Sequence, residues 1–130
     1  MKKIKVGEFE SKEDKLEAYK KIYPDISYEE LLEAIGSGSV LIIDANSSKS
    51  YENGHVTGAV SFRDKKALAK ALPKDKDRLI IAYCGGPKCA AWCDAADWLK
   101  KRGYGNIKHY SAGIKGWRKH TGQKEANTQG

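Results

Sequence analysis

Two short runs of consecutive apolar residues constrain the fold most. Val40, Leu41, Ile42 and Ile43 lead into Asp44, and Leu79, Ile80, Ile81, Ala82 and Tyr83 lead into Cys84. A strand with one wet face alternates apolar and polar residues; these runs do not alternate, so they read as strands buried on both faces. Such strands belong to parallel sheets covered by helices. The second run also places a reactive group. After Cys84 come Gly85, Gly86, Pro87 and Lys88, and then a helical pattern with Trp92, Ala95, Ala96 and Leu99 on one face, ended by Gly103. Cys84 therefore stands at the carboxyl end of a strand beside a helix N-terminus, where α/β proteins bind ligands and where negative charge is favoured.

The rest of the chain agrees with alternating helices and strands. Ser27 and Glu30 form a capping-box pattern, opening a helix that carries Leu31, Leu32 and Ile35 inward and stops at Gly36. Residues 45–50 read as a polar loop, and residues 51–54 as a helical turn ended by Gly54. Val60 to Phe62 supply a short strand, residues 65–72 a small helix stopped by Pro73, and residues 106–110 a third candidate for a strand of the sheet. A short terminal helix follows residues 111–117, with Trp117 as a core anchor. The fold class is α/β: a three-layer domain with a parallel central sheet and helices on both faces. The 130 residues suit one domain, at 26–122. Residues 1–25 are a charged extension in which Phe9, Leu16, Tyr19 and Tyr23 recur near helical spacing; it reads as a short helix over 12–21 or as a mobile arm. Residues 123–130 read as a disordered tail.

The formal net charge is +7, and its location matters more than its size. Lys100, Lys101, Arg102, Lys108, Lys115, Arg118 and Lys119 supply the whole excess, with no acid between residues 100 and 120. A local positive field draws in small anions. No nucleic-acid motif accompanies it, and no run approaches a membrane span, so neither partner is expected. Lys2, Lys3 and Lys5 are not followed by an apolar segment, so the chain as given reads as cytoplasmic. A periplasmic protein stripped of its signal peptide would look the same. Three cysteines within ten residues, Cys84, Cys89 and Cys93, are no disulfide framework; they suit a reducing compartment or a working thiol.

A thiol is a nucleophile as its thiolate, and a free cysteine has a pKa of about 8.5. The helix N-terminus, the Gly85–Gly86 backbone curling its N–H groups into a nest, and Lys88 all favour the anion at Cys84. Pro87 stiffens the turn and removes one donor. The competing reading is a small buried cysteine at a strand end; the loop and the strand-to-helix junction favour chemistry.

Further motifs carry a resemblance. Asp44 ends the first strand; Glu52, Gly54, His55, Val56, Gly58 and Ala59 follow. Tyr83 and Cys84 end the second strand, Gly103 and Tyr104 close the helix, and Gly113 and Trp117 come last. In this order and spacing the chain resembles the rhodanese (sulfurtransferase) domain family over roughly residues 26–122. The resemblance implies that Cys84 takes up a sulfane sulfur as a persulfide and passes it to a nucleophile, with Gly85, Gly86, Pro87, Lys88, Cys89 and Ala90 cradling the outer sulfur. It implies two-step covalent catalysis, a small anionic donor such as thiosulfate, polysulfide or a persulfide, a thiol or cyanide acceptor, and no metal or organic cofactor. Asp44, His55 and Gly58 take structural roles.

Three positions depart from the family pattern. Cys89 stands where many members have an Arg that grips an oxyanion. Asn46 stands where Asp-x-Arg would place an Arg, and Thr57 replaces a common Pro. Cys-x₅-Arg, which a phosphatase needs, fails at Ala90. Cys89 and Cys93 are open to three readings: packing residues, favoured for Cys93; a resolving thiol at Cys89 that forms a disulfide with Cys84; or zinc ligands, which the spacing disfavours. A thiol–disulfide redox protein using Cys84 and Cys89 is the alternative function, and a non-catalytic sulfur-carrier or binding module a further one.

Overall fold

The computed structural model of the protein describes residues 11–122. In chain order its elements are α1 (Lys12–Ile22), α2 (Tyr28–Ser37), β1 (Leu41–Asp44), α3 (Ser48–Asn53), β2 (Val60–Ser61), α4 (Lys65–Ala71), β3 (Ile80–Tyr83), α5 (Ala91–Lys101), β4 (Ile107–His109) and α6 (Gly113–Thr121). The tail at 123–130 and Phe9 lie outside the described residues.

The two apolar runs pair with each other. All residues of β1 and β3 are buried, and the strands run parallel with Leu41 beside Ile80 and Asp44 beside Tyr83. The sheet order is β2-β1-β3-β4, all parallel. The side-chain period of two divides each strand between two cores. Leu41, Ile43, Ile80, Ala82 and Cys84 join Leu68 of α4 and Trp92, Ala95, Ala96 and Leu99 of α5. Ile42, Ile81 and Tyr83 join Leu31 of α2 and Ile114 and Trp117 of α6. The result is the expected three-layer α/β domain. The chain leaves β1 for β2 on one side and reaches β3 on the other, so β1 and β3 flank the topological switch point of the sheet, where a crevice opens at their carboxyl ends.

Several boundaries differ from the sequence reading. Ser27 and Glu30 do form the capping box, but Leu32 is exposed. It lies about 100° around the helix from Leu31, which takes the inward face with Ala34 and Ile35. The helix runs through Gly36 and ends at Gly38, whose φ of 70° is the left-handed conformation that glycine tolerates best. Part of the 45–50 loop is helical, because Ser47 caps α3 by accepting from the Ser50 amide at 3.1 Å.

The described part of the 1–25 extension is a helix packed into the core. Leu16, Tyr19 and Tyr23 are buried with Trp92, and the rings of Tyr19 and Tyr23 meet the indole edge-on at 6.3 and 6.2 Å. Lys15 Nζ pairs with Asp94 at 2.9 Å, and the Tyr19 hydroxyl donates to Asp97 at 2.5 Å. After Pro24 the chain runs beside β4: the His109 amide donates to the Pro24 carbonyl at 2.9 Å and the Ile26 amide to the His109 carbonyl at 3.0 Å.

His109 closes this junction. It is 1% exposed, lies flat on Trp92 at 4.1 Å, and its Nδ1–H donates to the Tyr23 carbonyl at 3.0 Å. Nε2 has no hydrogen-bond partner and stands 3.8 Å from Asp25 Oδ1. Burial holds the His109 pKa below its ordinary value, against the pull of Asp25. A folded-state pKa below the unfolded one means that the unfolded chain binds the proton more readily. The stability this junction contributes is present above the unfolded value of about 6.5 and is lost as pH falls toward the folded value. Asp44, whose pKa burial raises, gives the opposite slope. Urea denaturation should therefore show stability declining from about pH 7 to about pH 5 more steeply in the parent than in His109→Gln; equal slopes would show that His109 does not contribute.

Candidate active site

Cys84 follows the last residue of β3, one step past the switch point, and its side chain falls on the α5 face. The residue is 2% exposed. Gly85, Gly86, Pro87, Lys88, Cys89 and Ala90 then turn the chain into α5, which begins at Ala91 rather than near Cys89. Cys89 thus belongs to the loop and does not share a helical face with Cys93. The Cys89 amide donates back to the Gly86 carbonyl at 3.1 Å, closing a tight turn. The Cys84 and Cys89 sulfurs are joined as a disulfide, with Cα atoms 6.2 Å apart. Among the described residues, the amides of Gly85, Gly86, Lys88 and Ala90 have no protein acceptor. Ala90 offers no side-chain cap to α5. Unpaired amides and a helix N-terminus concentrate partial positive charge on this loop.

Two features hold the loop in place. From one side, Gly113 brings the start of α6 against the backbone, and the amides of Ile114 and Lys115 donate to the carbonyls of Cys84 and Gly85 at 2.9 and 3.1 Å. Gly113 has φ 63°, and a Cβ there would stand 2.6 Å from the Cys84 oxygen. From the other side, Asn46 at the end of β1 lies near Gly85, at 3.8 Å from where a Cβ would stand. No Arg occupies position 46, but a guanidinium reaches the same stretch from elsewhere: Arg63 Nη2 donates to the Ala45 carbonyl at 3.0 Å. Gly113 was legible as a motif, but its contact with Cys84 was not. Arg63 had no sequence signal.

Asp44 and His55 are hydrogen-bonded to the backbone of neighbouring segments. Asp44 is buried, accepts from the Tyr83 hydroxyl at 2.6 Å and from the Asn46 amide at 2.8 Å. Tyr83 in turn accepts from the Val56 amide at 3.0 Å. His55 donates from Nδ1 to the Tyr51 carbonyl at 2.7 Å and stacks on the Tyr51 ring at 3.8 Å. Gly58 takes φ 80° in the turn toward β2.

Two open depressions reach Cys89. One, of about 320 Å³, is lined by Gly85, Gly86, Pro87, Lys88, Cys89 and Lys115. The other, of about 340 Å³, is bounded by Lys12, Lys15, Lys88, Cys89, Ala90 and Asp94, among others. Of the basic 100–120 segment, only Lys115 lines either one; Lys100 and Lys101 sit in the last turn of α5. Cys93 is sealed in the core, and burial pushes its thiol up to about 12, far from a working thiolate.

This arrangement is a cysteine-centred loop at a parallel-sheet switch point, and comparison with known proteins agrees with it. The Rhodanese-like domain family matches residues 27–120: the chain belongs to that family. It is 31% identical over 117 residues to the tRNA uridine(34) hydroxylase of Aster yellows witches'-broom phytoplasma, covering 85% of this chain and 37% of that one. It is 29% identical over 93 residues to the HTH-type transcriptional regulator Rv0324 of Mycobacterium tuberculosis, covering 72% of this chain and 41% of that one. The chain thus spans well under half of these curated relatives. Among solved structures it is similar to the BH2092 protein of Bacillus halodurans, with a TM-score of 0.66, 27% identity and 85% of each chain covered. It shares its fold with the human single-domain sulfurtransferase TSTD1, with a TM-score of 0.58 and 19% identity, over 74% of this chain and 96% of that one. Among the described residues, no helix is long and apolar enough to cross a membrane.

The Gly113 contact is testable. Gly113→Ala should destabilise the protein by more than about 1 kcal/mol in urea denaturation, through the positive φ and the clash with Cys84 and Gly85. Gly105→Ala, with nothing within 4 Å of the new methyl, should change stability by less than about 0.5 kcal/mol.

Proposed function

We propose that the protein is a sulfurtransferase that carries a sulfane sulfur on Cys84. The observation that supports this most is the position of Cys84: at the carboxyl end of β3, before a loop whose Gly85, Gly86, Lys88 and Ala90 amides have no acceptor among the described residues. Those amides and the α5 N-terminus stabilise an anionic sulfur, first the thiolate and then the persulfide. Once Cys84 is free of its disulfide, its thiolate attacks the sulfane sulfur of a donor. The donor's S–S bond breaks, and its electron pair leaves with the remaining anion. An acceptor thiolate or cyanide then attacks the outer sulfur of the Cys84 persulfide, and the electron pair of that S–S bond returns to Cys84. Atoms and charge balance without any cofactor, and the kinetics are of the ping-pong type.

Lys88 and Lys115 favour a small anionic donor, and a thiol serves as acceptor. As separate point charges they do not provide the flat two-pronged grip of an Arg on an oxyanion, so polysulfide or a persulfide suits this site better than thiosulfate. The hydroxylase and regulator activities in the relatives' names belong to longer chains, of which this one spans 37% and 41%. The Cys84–Cys89 disulfide favours a second reading, a thiol–disulfide redox protein.

Cys84→Ser should lower sulfur transfer by about a thousandfold or more while leaving the unfolding midpoint of the reduced protein in place; retained transfer would remove the assignment. Cys89→Arg should raise the thiosulfate-to-polysulfide rate ratio by about tenfold over Cys89→Ser; an unchanged ratio would show that the loop position does not govern donor choice.

A further inference from the structure

The two paired sulfurs differ in access, and the difference gives each a separate task. Cys84 is 2% exposed and lines neither depression. Cys89 is partly exposed and lines both, so a reagent can approach it from either side of the loop. Their Cα atoms stand 6.2 Å apart, within the span a disulfide bridges. The turn that brings them together is held by the Cys89 amide on the Gly86 carbonyl, and Gly85 and Gly86 carry no side chain to oppose it. The third thiol cannot compete, since Cys93 is buried in the core and is no part of the pair.

We infer that Cys89 is a resolving thiol that discharges the Cys84 persulfide as hydrosulfide, making the protein a sulfane-sulfur reductase driven by a dithiol reductant. The inference rests on the reading of Cys84 as persulfide carrier. In the first step the Cys89 thiolate attacks the inner sulfur, Cys84 Sγ. The Sγ–S bond of the persulfide breaks, its electron pair leaves with the outer sulfur, which takes up the proton given up by the Cys89 thiol and departs as hydrosulfide, and the Cys84–Cys89 disulfide forms. The sulfane sulfur is reduced and the two cysteines are oxidised. In the second step a thiolate of the external dithiol attacks the accessible sulfur, Cys89 Sγ. The disulfide breaks and its electron pair goes to Cys84, whose thiolate is the better-stabilised leaving group because it faces the loop amides and the α5 N-terminus. The second thiol of the reductant then attacks the mixed disulfide, releasing Cys89 as thiolate and the reductant as its own disulfide. Cys84 returns as the nucleophile for the next donor, so the direction of opening restores the working thiolate.

The same geometry divides the cycle between two partners. While the disulfide stands, no donor can reach a Cys84 thiolate; only a thiol that attacks Cys89 can proceed. The reductant must therefore present an exposed thiolate to a loop bordered by Lys88, Lys115 and Lys12, with Lys15 already paired to Asp94. That chemistry fits a redox protein or small dithiol with negative charge beside its reactive sulfur.

The experiment uses the full-length protein, reduced, freed of reductant and mixed with one equivalent of inorganic polysulfide without oxygen. Intact mass and released hydrosulfide are followed together. The parent should end as a disulfide, lighter by two hydrogens, with about one extra hydrosulfide released per chain. Cys89→Ser should instead hold one added sulfur at Cys84, with a persulfide lifetime at least about tenfold longer. A dithiol should restore turnover in the parent and should not be required for transfer to thiols by Cys89→Ser. A parent that keeps its persulfide as long as Cys89→Ser, with no disulfide, would overturn the resolving role while leaving sulfur transfer standing. Failure of both proteins to take up sulfur would overturn the persulfide reading, and this inference with it.

Discussion

The amides of Ile114 and Lys115 donate to the carbonyls of Cys84 and Gly85, and the site depends on that pair of bonds. The loop leaves a buried strand and must turn over the end of the sheet before α5 begins. A turn at that place leaves carbonyls facing inward, where an unpaired oxygen is costly. The start of α6 supplies the missing donors, because Gly113 has no side chain and takes a positive φ, which lets two backbones approach. With those carbonyls satisfied, the amides of Gly85, Gly86, Lys88 and Ala90 remain unpaired among the described residues. The polarity of the site thus follows from one segment accepting the loop's carbonyls and another leaving its N–H groups unpaired.

Behind the loop, the sheet reaches the same point from the other strand. Asp44 stands beside Tyr83 in register, and its carboxylate accepts from the Tyr83 hydroxyl and the Asn46 amide. Tyr83 also accepts from the Val56 amide. One buried phenol therefore joins the end of β1, the end of β3 and the turn that contains His55. Arg63 adds a donor to the Ala45 carbonyl. The end of β1 is fixed before the loop is considered, and Asn46 forms a boundary for Gly85.

The parts legible in the sequence were those set by local rules. Unbroken apolar runs announced β1 and β3, the capping box announced α2, and a cysteine between strand and Gly/Pro loop announced the site. What could not be read depended on distance in the chain. Nothing in Gly113 alone states that it meets Cys84. Nothing in Arg63 states that it will reach Ala45, or in Lys115 that it alone of its basic cluster will line the loop. The α1 helix was ambiguous because charge dominates its composition. Its few apolar residues, Leu16 and Tyr19 with Tyr23 beyond the helix, become decisive only when Trp92 of α5 faces them. Leu32 erred the other way: it lies about 100° around the helix from Leu31, and packing against the sheet chose the face of Leu31, Ala34 and Ile35.

Three cysteines within ten residues have three environments, and environment decides what each sulfur can do. Cys93 sits one turn into α5 with its thiol held up by burial; it fills space. Cys84 is equally shielded from bulk water but ends β3 just before a loop whose amides are unpaired among the described residues and which leads into α5; on the proposed reading those amides and the helix N-terminus stabilise a negative sulfur that burial alone would oppose. Cys89, five residues on, has the access that Cys84 lacks. On the proposed reading, a covered sulfur joined to an accessible one makes an asymmetric disulfide: an incoming thiolate meets Cys89, and the electron pair it displaces goes to Cys84. Exchanging the two positions would reverse that order, leaving the external thiol bound to the buried sulfur and the nucleophile stranded at the surface. On that reading the order of the two residues along the loop, with the covered one at the strand end, is as much a condition of the chemistry as their presence.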